Sequence, residues 1–201
     1  MPKTIDYFIS VVSPYTYLGS RELERIARDH GAEIRVKPIS LPKIFPHTGG
    51  TPLPQRPQAR KDYRFVELKR WRAERDMPLN LEPAHFPVSD KFAAPAVLAA
   101  AELGGDPLRL AHAILRAIWA EERNIAEEST VHAIAAETGH DADTLMANAK
   151  TPEIAEIYEQ TTQEALERGV FGAPWYVVDG EPFWGQDRLN FVERALAGNK
   201  A

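Results

Sequence analysis

Hydrophobic residues at the start of the chain are spaced as in a buried strand followed by a helix. Residues 4–12 hold a nearly unbroken apolar run, and Ser13 and Pro14 lead into residues 14–29, whose leucines and isoleucine fall on one helical face. Proline suits the first position of a helix, and a glycine ends this one. Residues 32–39 then alternate apolar and charged side chains. The pattern predicts a strand–helix–strand unit with a parallel pair of strands.

The end of the chain returns to β-type patterning. Residues 175–178 and 182–184 are short apolar runs separated by an Asp-Gly dipeptide, which is typical of hairpin turns. Asp187 is expected to cap a last helix over residues 188–196. The C-terminal part therefore predicts a strand–strand–helix unit.

The middle of the chain differs from both ends. Residues 41–59 contain five prolines and two glycines, which predicts a long ordered loop or a linker. Residues 58–168 are predicted to be almost wholly helical. Helices are expected over residues 60–76, 93–103, 107–122, from a cap at Ser129-Thr130 to Gly139, and from a cap at Thr151 to Gly169.

The order of the elements predicts the fold class. We expect an α/β protein with a thioredoxin-like fold and a large all-helical insertion between its βαβ and ββα halves. Residues 1–50 and 170–201 form the predicted thioredoxin-like domain, and residues 51–169 form the predicted helical insertion domain.

Composition excludes several classes of protein. The 201 residues contain no cysteine, which excludes a disulfide scaffold, a thiolate zinc site and a dithiol redox enzyme. A net charge of −5 gives no sign of nucleic-acid binding. No apolar run is long enough for a membrane span, and no signal peptide or address motif is found, so we expect a cytoplasmic protein. The six histidines are scattered, so no metal site is predicted, and the tryptophans and tyrosines are interpreted as core residues.

Two motifs together resemble one family. The segments SPYTYLG at residues 13–19 and GVFGAPWYVVDGEPFWGQDRL at residues 169–189, with helices between them, are similar to the 2-hydroxychromene-2-carboxylate isomerases. These are related to the kappa-class glutathione transferases, in the DsbA-like branch of the thioredoxin fold. The resemblance implies glutathione as cofactor and a homodimer.

Ser13 is the predicted catalytic residue. It stands where a thioredoxin-type protein carries its first active-site cysteine, at the positive end of a helix that favours an anion. A serine there can hold the thiolate of a bound glutathione without forming a disulfide with it. The alternative is that Ser13 serves only as a helix cap.

The resemblance also implies a glutathione site at the C-terminal motif. Pro174 is expected to be cis and to expose the backbone of Ala173 to the cysteinyl part of glutathione. Asp187 would pair with the γ-glutamyl ammonium group, and Gln186 and the backbone N–H of Arg188 would hold its carboxylate. The alternatives are a trans proline that merely starts a strand and an aspartate that only caps a helix.

The start of the insertion provides the predicted substrate contacts. The family places a lysine near the active site a few residues before a tyrosine; here Arg60 falls at that offset, with Lys61 beside it. Either cation would hold a substrate carboxylate, and Tyr15 is the third expected contact. The alternative is a solvated helix face. Two family features are missing: an asparagine in the proline-rich loop near Gly50, and an arginine after residues 86–90.

These expectations combine into one functional hypothesis. The resemblance implies a glutathione-dependent isomerase that interconverts 2-hydroxychromene-2-carboxylate and its ring-opened aromatic oxo acid by reversible thiolate addition. The alternatives are a kappa-type glutathione transferase that conjugates electrophiles and a non-catalytic binding protein of the thioredoxin fold.

Overall fold

The structure of the protein, a computed structural model, describes residues 3–198. Residues 1–2 and 199–201, the outer ends of the predicted thioredoxin-like domain, lie outside the described residues. Four strands are found: β1 (Thr4–Ile9), β2 (Glu33–Pro38), β3 (Trp175–Val178) and β4 (Glu181–Trp184). Nine helices of the described part are α1 (Pro14–His30), α2 (Leu41–Thr48), α3 (Gln58–Glu74), α4 (Ala93–Glu102), α5 (Pro107–Trp119), α6 (Glu128–Glu137), α7 (Ala142–Asn148), α8 (Pro152–Glu167) and α9 (Leu189–Leu196).

The strands form one mixed sheet in the order β2-β1-β3-β4. Strands β1 and β2 are parallel, with Thr4 opposite Glu33, which confirms the predicted parallel pair. Strand β3 is antiparallel to β1 and to β4. The α/β thioredoxin-like fold with helices between its two halves is therefore confirmed. The division into two domains stays a prediction.

Both faces of the sheet are covered, because side chains of a strand point alternately to opposite faces. Ile5, Tyr7 and Ile9 of β1 belong to the larger core cluster with α1, α4, α5 and α9. Phe8, from the opposite face of β1, belongs to a smaller cluster with Ile44 of α2 and residues of α8. The central strand is thus buried on both sides, which explains its nearly unbroken apolar run.

Several predicted boundaries are wrong. Strand β1 ends at Ile9 rather than residue 12, and the expected loop over residues 41–59 contains helix α2 and a short 3₁₀ turn at Leu53–Gln55. Residues 75–92 lie outside any helix, although a helix was expected up to residue 76 and the region was predicted to be almost wholly helical. Helix α5 ends at Trp119, before the predicted residue 122.

Two predicted helix caps are also wrong, and two helix-end signals are confirmed. Helix α6 begins at Glu128, so Ser129 and Thr130 lie inside its first turn. Asp187 lies in a 3₁₀ turn, Gln186–Arg188, and does not cap α9. In contrast, the Thr151 side chain accepts a hydrogen bond from Ile154 N, and Gly31 ends α1 with φ of 59°.

Candidate active site

Ser13 lies at the junction of the first strand and the first helix. Its Oγ accepts a hydrogen bond from Thr16 N at 3.3 Å, so it caps α1, and it donates a long one to Ala173 O at 3.5 Å. The residue is 9% exposed and lines a cleft. The 17-residue helix α1 presents its positive dipole end at this point. The junction therefore favours a bound anion.

The predicted proline loop lies directly against Ser13. The Ala173–Pro174 peptide is cis, as predicted, and Trp175 then pairs with Phe8 of the neighbouring strand. This pairing brings the end of β1 and the start of β3 together. Gly172 passes close to Trp184, because a Cβ atom there would lie 2.8 Å from the indole Nε1. The loop and Ser13 therefore form one wall of the cleft.

The cleft has two lobes. The aromatic lobe, about 390 Å³, lies at Ser13 and is lined among others by Val12, Leu41, Phe45, Phe86 and Phe171. The polar lobe, about 540 Å³, is lined among others by Glu67, Trp71, Gln186, Asp187 and Arg188. Both lobes share the residues Tyr15, Arg56, Arg60, Arg64, Ala173 and Trp184. The sequence-predicted residues thus line one cleft, with Lys61 and Pro174 as the exceptions.

The polar lobe is built on the turn after β4. Gln186 is 1% exposed, and Arg75 donates to its side-chain oxygen at 3.3 Å and to its backbone oxygen at 3.2 Å. Arg188 forms an ion pair with the Asp187 carboxylate. Its backbone N–H donates to Gly185 O at 3.1 Å, so the expectation that this group is free for a ligand carboxylate is wrong. All three turn residues line the lobe.

Arg60 and Lys61 separate in the structure. Arg60 is exposed and lines both lobes of the cleft. Lys61 is not among the lining residues, and its ammonium group donates to Pro54 O at 2.9 Å. Tyr15 lies on the first turn of α1 and lines both lobes, and burial raises the pKa of its hydroxyl. Tyr15 is therefore a hydrogen-bond donor at neutral pH.

Arg64 is a site residue that the sequence analysis missed. It is 8% exposed, and its guanidinium lies 5.5 Å from the Phe86 ring centroid and 5.7 Å from that of Trp119. Burial lowers the pKa of this group. A signal was available, because Arg60 and Arg64 are four residues apart and residues at that spacing share a helical face.

The aromatic walls were missed as well. Trp184 is 52% exposed and lines both lobes, so the interpretation of the tryptophans as core residues is wrong here. Phe171 stands edge-on to it at 4.7 Å between ring centroids. Phe86 enters the aromatic lobe from the irregular segment at residues 75–92. Exposed aromatic rings at a cleft are typical of a site for an aromatic ligand.

The loop without the family's asparagine also lines the aromatic lobe. Gly49, Gly50 and Thr51 contribute to its wall. A Cβ atom at Gly50 would lie 2.1 Å from Phe45 Cδ1, so a side chain does not fit there without rearrangement. Within residues 3–198, no cluster of three or more metal-ligating side chains is found, and no helix is long and apolar enough to traverse a lipid bilayer.

Comparison with known proteins gives consistent matches over nearly the whole chain. The family model of the DSBA-like thioredoxin domain matches residues 4–197. A 2-hydroxychromene-2-carboxylate isomerase of Sphingobium xenophagum is 32% identical over 197 residues, which cover 98% of this chain and 99% of that protein. Glutathione S-transferase kappa 2 of Caenorhabditis elegans is 26% identical, over 97% of this chain and 92% of the relative.

A solved structure agrees with these sequence matches. The structure of a selenomethionine-labelled 2-hydroxychromene-2-carboxylate isomerase superimposes with a TM-score of 0.83 at 26% sequence identity. The match covers 97% of this chain and 95% of the solved chain. The similarity therefore includes both halves of the sheet and the helices between them.

Proposed function

Because the chain belongs to the 2-hydroxychromene-2-carboxylate isomerase family of DsbA-like thioredoxin domains, we propose that it is a glutathione-dependent isomerase. Its substrates are 2-hydroxychromene-2-carboxylate-type intermediates of aromatic degradation. The relatives that carry this name supply the reaction class. The geometry of the cleft supports the roles of individual residues.

One observation carries the proposal. Ser13 occupies the anion-favouring end of α1 beside a cis proline, in a chain that contains no cysteine. In thiol enzymes such a helix end stabilises the protein's own thiolate. Here a thiolate has to come from a ligand, and we assign the Ser13 hydroxyl as the donor of a hydrogen bond to it.

The polar lobe fits glutathione by the chemistry of its groups. The γ-glutamyl end of glutathione carries an ammonium and a carboxylate, and the lobe offers the Asp187 carboxylate, the Gln186 amide and the Arg188 guanidinium. Ala173, which lines both lobes, lies beside Ser13 and would meet the cysteinyl part. Binding requires Asp187 to share or leave its contact with Arg188. The carboxylate is assigned to the side chains of Gln186 and Arg188, since the Arg188 N–H is already used.

The aromatic lobe and its arginines fit the oxo-acid substrate. When bound, glutathione supplies a thiolate that adds reversibly to the conjugated enone of the ring-opened form, so that the former double bond turns before the thiol leaves. Ser13 and the N-terminus of α1 stabilise the negative sulfur. Tyr15 donates a hydrogen bond to the substrate, and of the predicted pair Arg60, rather than Lys61, lines the cleft.

Conjugation of electrophiles is the second candidate function, and the kappa-class relative favours it. The two reactions share the thiolate site and differ in whether the thiol leaves again. An isomer that accumulates with glutathione unconsumed supports the isomerase. A stable thioether product supports the transferase.

The assembly and location of the protein are also part of the proposal. We propose a cytoplasmic homodimer, on the resemblance to related proteins. Light scattering should give a particle of twice the chain mass of 22.5 kDa. A particle of the single-chain mass at micromolar concentration contradicts the dimer.

Thermal unfolding with reduced glutathione tests the shared premise. Ligand at about 100 times its dissociation constant stabilises a protein by about 2.7 kcal/mol, which for a chain of this size is a Tm rise of roughly 5–10 °C. The control is an equal ionic strength of sodium chloride. S-methylglutathione, which has no thiolate, should give a smaller rise. No rise at millimolar glutathione would contradict the proposal and favour a non-catalytic binding protein.

A further inference from the structure

The aromatic lobe has an unbalanced charge. Three arginines line it, Arg56, Arg60 and Arg64, and its lining within residues 3–198 includes no carboxylate. The polar lobe differs, because Glu67 and Asp187 accompany the same arginines there. A low-dielectric cleft lined by one sign of charge attracts a ligand of the opposite sign. The aromatic lobe is therefore built for an anion with an aromatic body.

The three arginines are not equivalent. Arg56 is partly buried, and its Nε already donates to Thr51 O at 2.8 Å. Arg60 is exposed, so water and salt screen its charge. Arg64 is only 8% exposed, so more than nine-tenths of the residue is buried. Its Nη2 has no hydrogen-bond partner among the described residues. It also forms no ion pair there, and the charged or titratable groups that act on it are Tyr15 and Arg56.

A buried guanidinium without a partner is costly, because a buried charge loses its hydration and gains nothing in exchange. The surroundings of Arg64 offset the cost of burying its charge only in part. The rings of Phe65, Phe86 and Trp119 lie within 6 Å of its Cζ and attract the cation through their π faces. Aromatic faces do not replace in-plane acceptors for the N–H groups. A ligand carboxylate supplies them as a pair of parallel bonds.

We propose that Arg64, rather than Arg60, is the residue that selects and holds the carboxylate of the substrate. The assignment rests on the proposed function for the identity of the substrate. The ligand class follows from the lobe itself: an aryl-conjugated oxo acid whose ring packs on Phe86 and Phe171 and whose carboxylate meets Arg64. An uncharged enone of the same shape leaves the guanidinium unpaired and is discriminated against.

The test measures binding of two probes by calorimetry without glutathione. Trans-benzylidenepyruvate is an aryl oxo acid that lacks the ortho hydroxyl and so does not cyclise, and benzylideneacetone is its uncharged counterpart. A hydrogen bond to a charged group corresponds to about 10- to 100-fold in affinity. The native protein should bind the acid that much more tightly than the ketone. Equal affinities would overturn the proposal without any variant.

Substitutions then locate the effect. Arg64→Met should weaken binding of the acid by about 10- to 100-fold and leave that of the ketone nearly unchanged. Arg64→Lys keeps the positive charge but not the paired N–H groups of a guanidinium. Its affinity for the acid should therefore lie between those of the native protein and Arg64→Met. Arg60→Met should lose much less affinity for the acid than Arg64→Met does. Lys69→Met is the control, since Lys69 is exposed on the same helix and does not line the cleft.

The outcomes separate this inference from the proposed function. If Arg60→Met takes the main loss, or if Arg64→Met weakens both probes equally, the inference is wrong. If Arg64→Met does not fold, Arg64→Lys and the acid-to-ketone ratio of the native protein still decide it. A protein that shows the Arg64-dependent preference but no thermal shift with glutathione would retain this inference and lose the isomerase. A protein that shows the thermal shift with glutathione but no Arg64-dependent preference would support the isomerase and contradict the role of Arg64 in binding the carboxylate.

Discussion

At the scale of single residues, Ser13 has two tasks that use the same oxygen. Its Oγ accepts from Thr16 N, which stabilises the helix, and donates to Ala173 O in the adjacent proline loop. The hydrogen bond to Ala173 O is long at 3.5 Å, so replacing this acceptor by a thiolate costs little hydrogen-bond energy. Capping and thiolate binding are therefore compatible, because one uses a lone pair and the other uses the proton.

Replacing Ser13 should separate the two tasks. Ser13→Ala removes both, so we expect about 1 kcal/mol lower stability and a 10- to 100-fold loss of turnover. Ser13→Gly retains most of the cap, since glycine costs only a few tenths of a kcal/mol there, but it should lose the same turnover. Thermal melts and isomerase rates measure the two effects. If Ser13→Gly instead retains nearly normal turnover, in line with its small loss of stability, Ser13 serves only as a helix cap.

Sequence reasoning identified residues at special backbone positions better than residues defined by packing. Ser13 stands out because a helix start is visible in the sequence itself, and the family resemblance marks Pro174. Arg64 does not, because its importance comes from burial against Phe86 and Trp119, which are distant in the chain. Its four-residue spacing from Arg60 indicated a shared helical face but not that the face lines a cleft.

At the scale of elements, two predictions were wrong for different reasons. Helix α2 forms although Pro42 and Pro46 lie in it, because Pro42 is in the first turn, where an N–H is not needed, and the helix has only 8 residues. The segment at residues 75–92 is irregular and held by distant partners: Asn80 N donates to Trp119 O, and Tyr17 Oη donates to Pro78 O at 2.8 Å. Such contacts between remote segments have no local sequence signal.

The turn at Gln186 depends on a glycine in another element. A Cβ atom at Gly19 of α1 would lie 2.8 Å from Gln186 Cβ and 3.0 Å from Tyr176 Oη. Within a helix, glycine normally destabilises by about 1 kcal/mol relative to alanine. Gly19 therefore gives up helix stability so that the polar lobe can pack against α1.

Gly19→Ala should consequently lower stability instead of raising it. Overpacking costs about 1–3 kcal/mol, and the displaced Gln186 should weaken glutathione binding as well. Thermal melts with and without glutathione measure both effects. Arg21→Ala, on the exposed side of the same helix, is the control for helix propensity and should change neither. A Gly19→Ala variant that melts higher and binds glutathione normally would contradict the packing argument.

At the scale of the whole molecule, the sheet and the inserted helices share one core. Tyr7 and Leu18 from the N-terminal half belong to the same cluster as Leu110, Trp119 and Val131 from the helical part. Helix α1 packs against both α5 and α9. The predicted division at residues 51–169 describes the order of the chain, but neither part buries its apolar surface without the other.

We therefore expect the chain to unfold in one cooperative transition. Trp119 reports on the helical part at 0% exposure, and Trp175 reports on the sheet at 6%. Two variants that each retain one of these tryptophans, with the other three changed to phenylalanine, allow fluorescence to follow each region in guanidinium chloride. Within each variant the fluorescence midpoint should coincide with that of far-UV circular dichroism, because two-state unfolding gives one transition for all probes. Comparing probes within a variant removes the stability change that the substitutions cause. A Trp119 signal that is lost before or after the dichroism signal would mean that the helical part unfolds by itself, and the cleft between α3 and the sheet would then open without loss of the thioredoxin-like half.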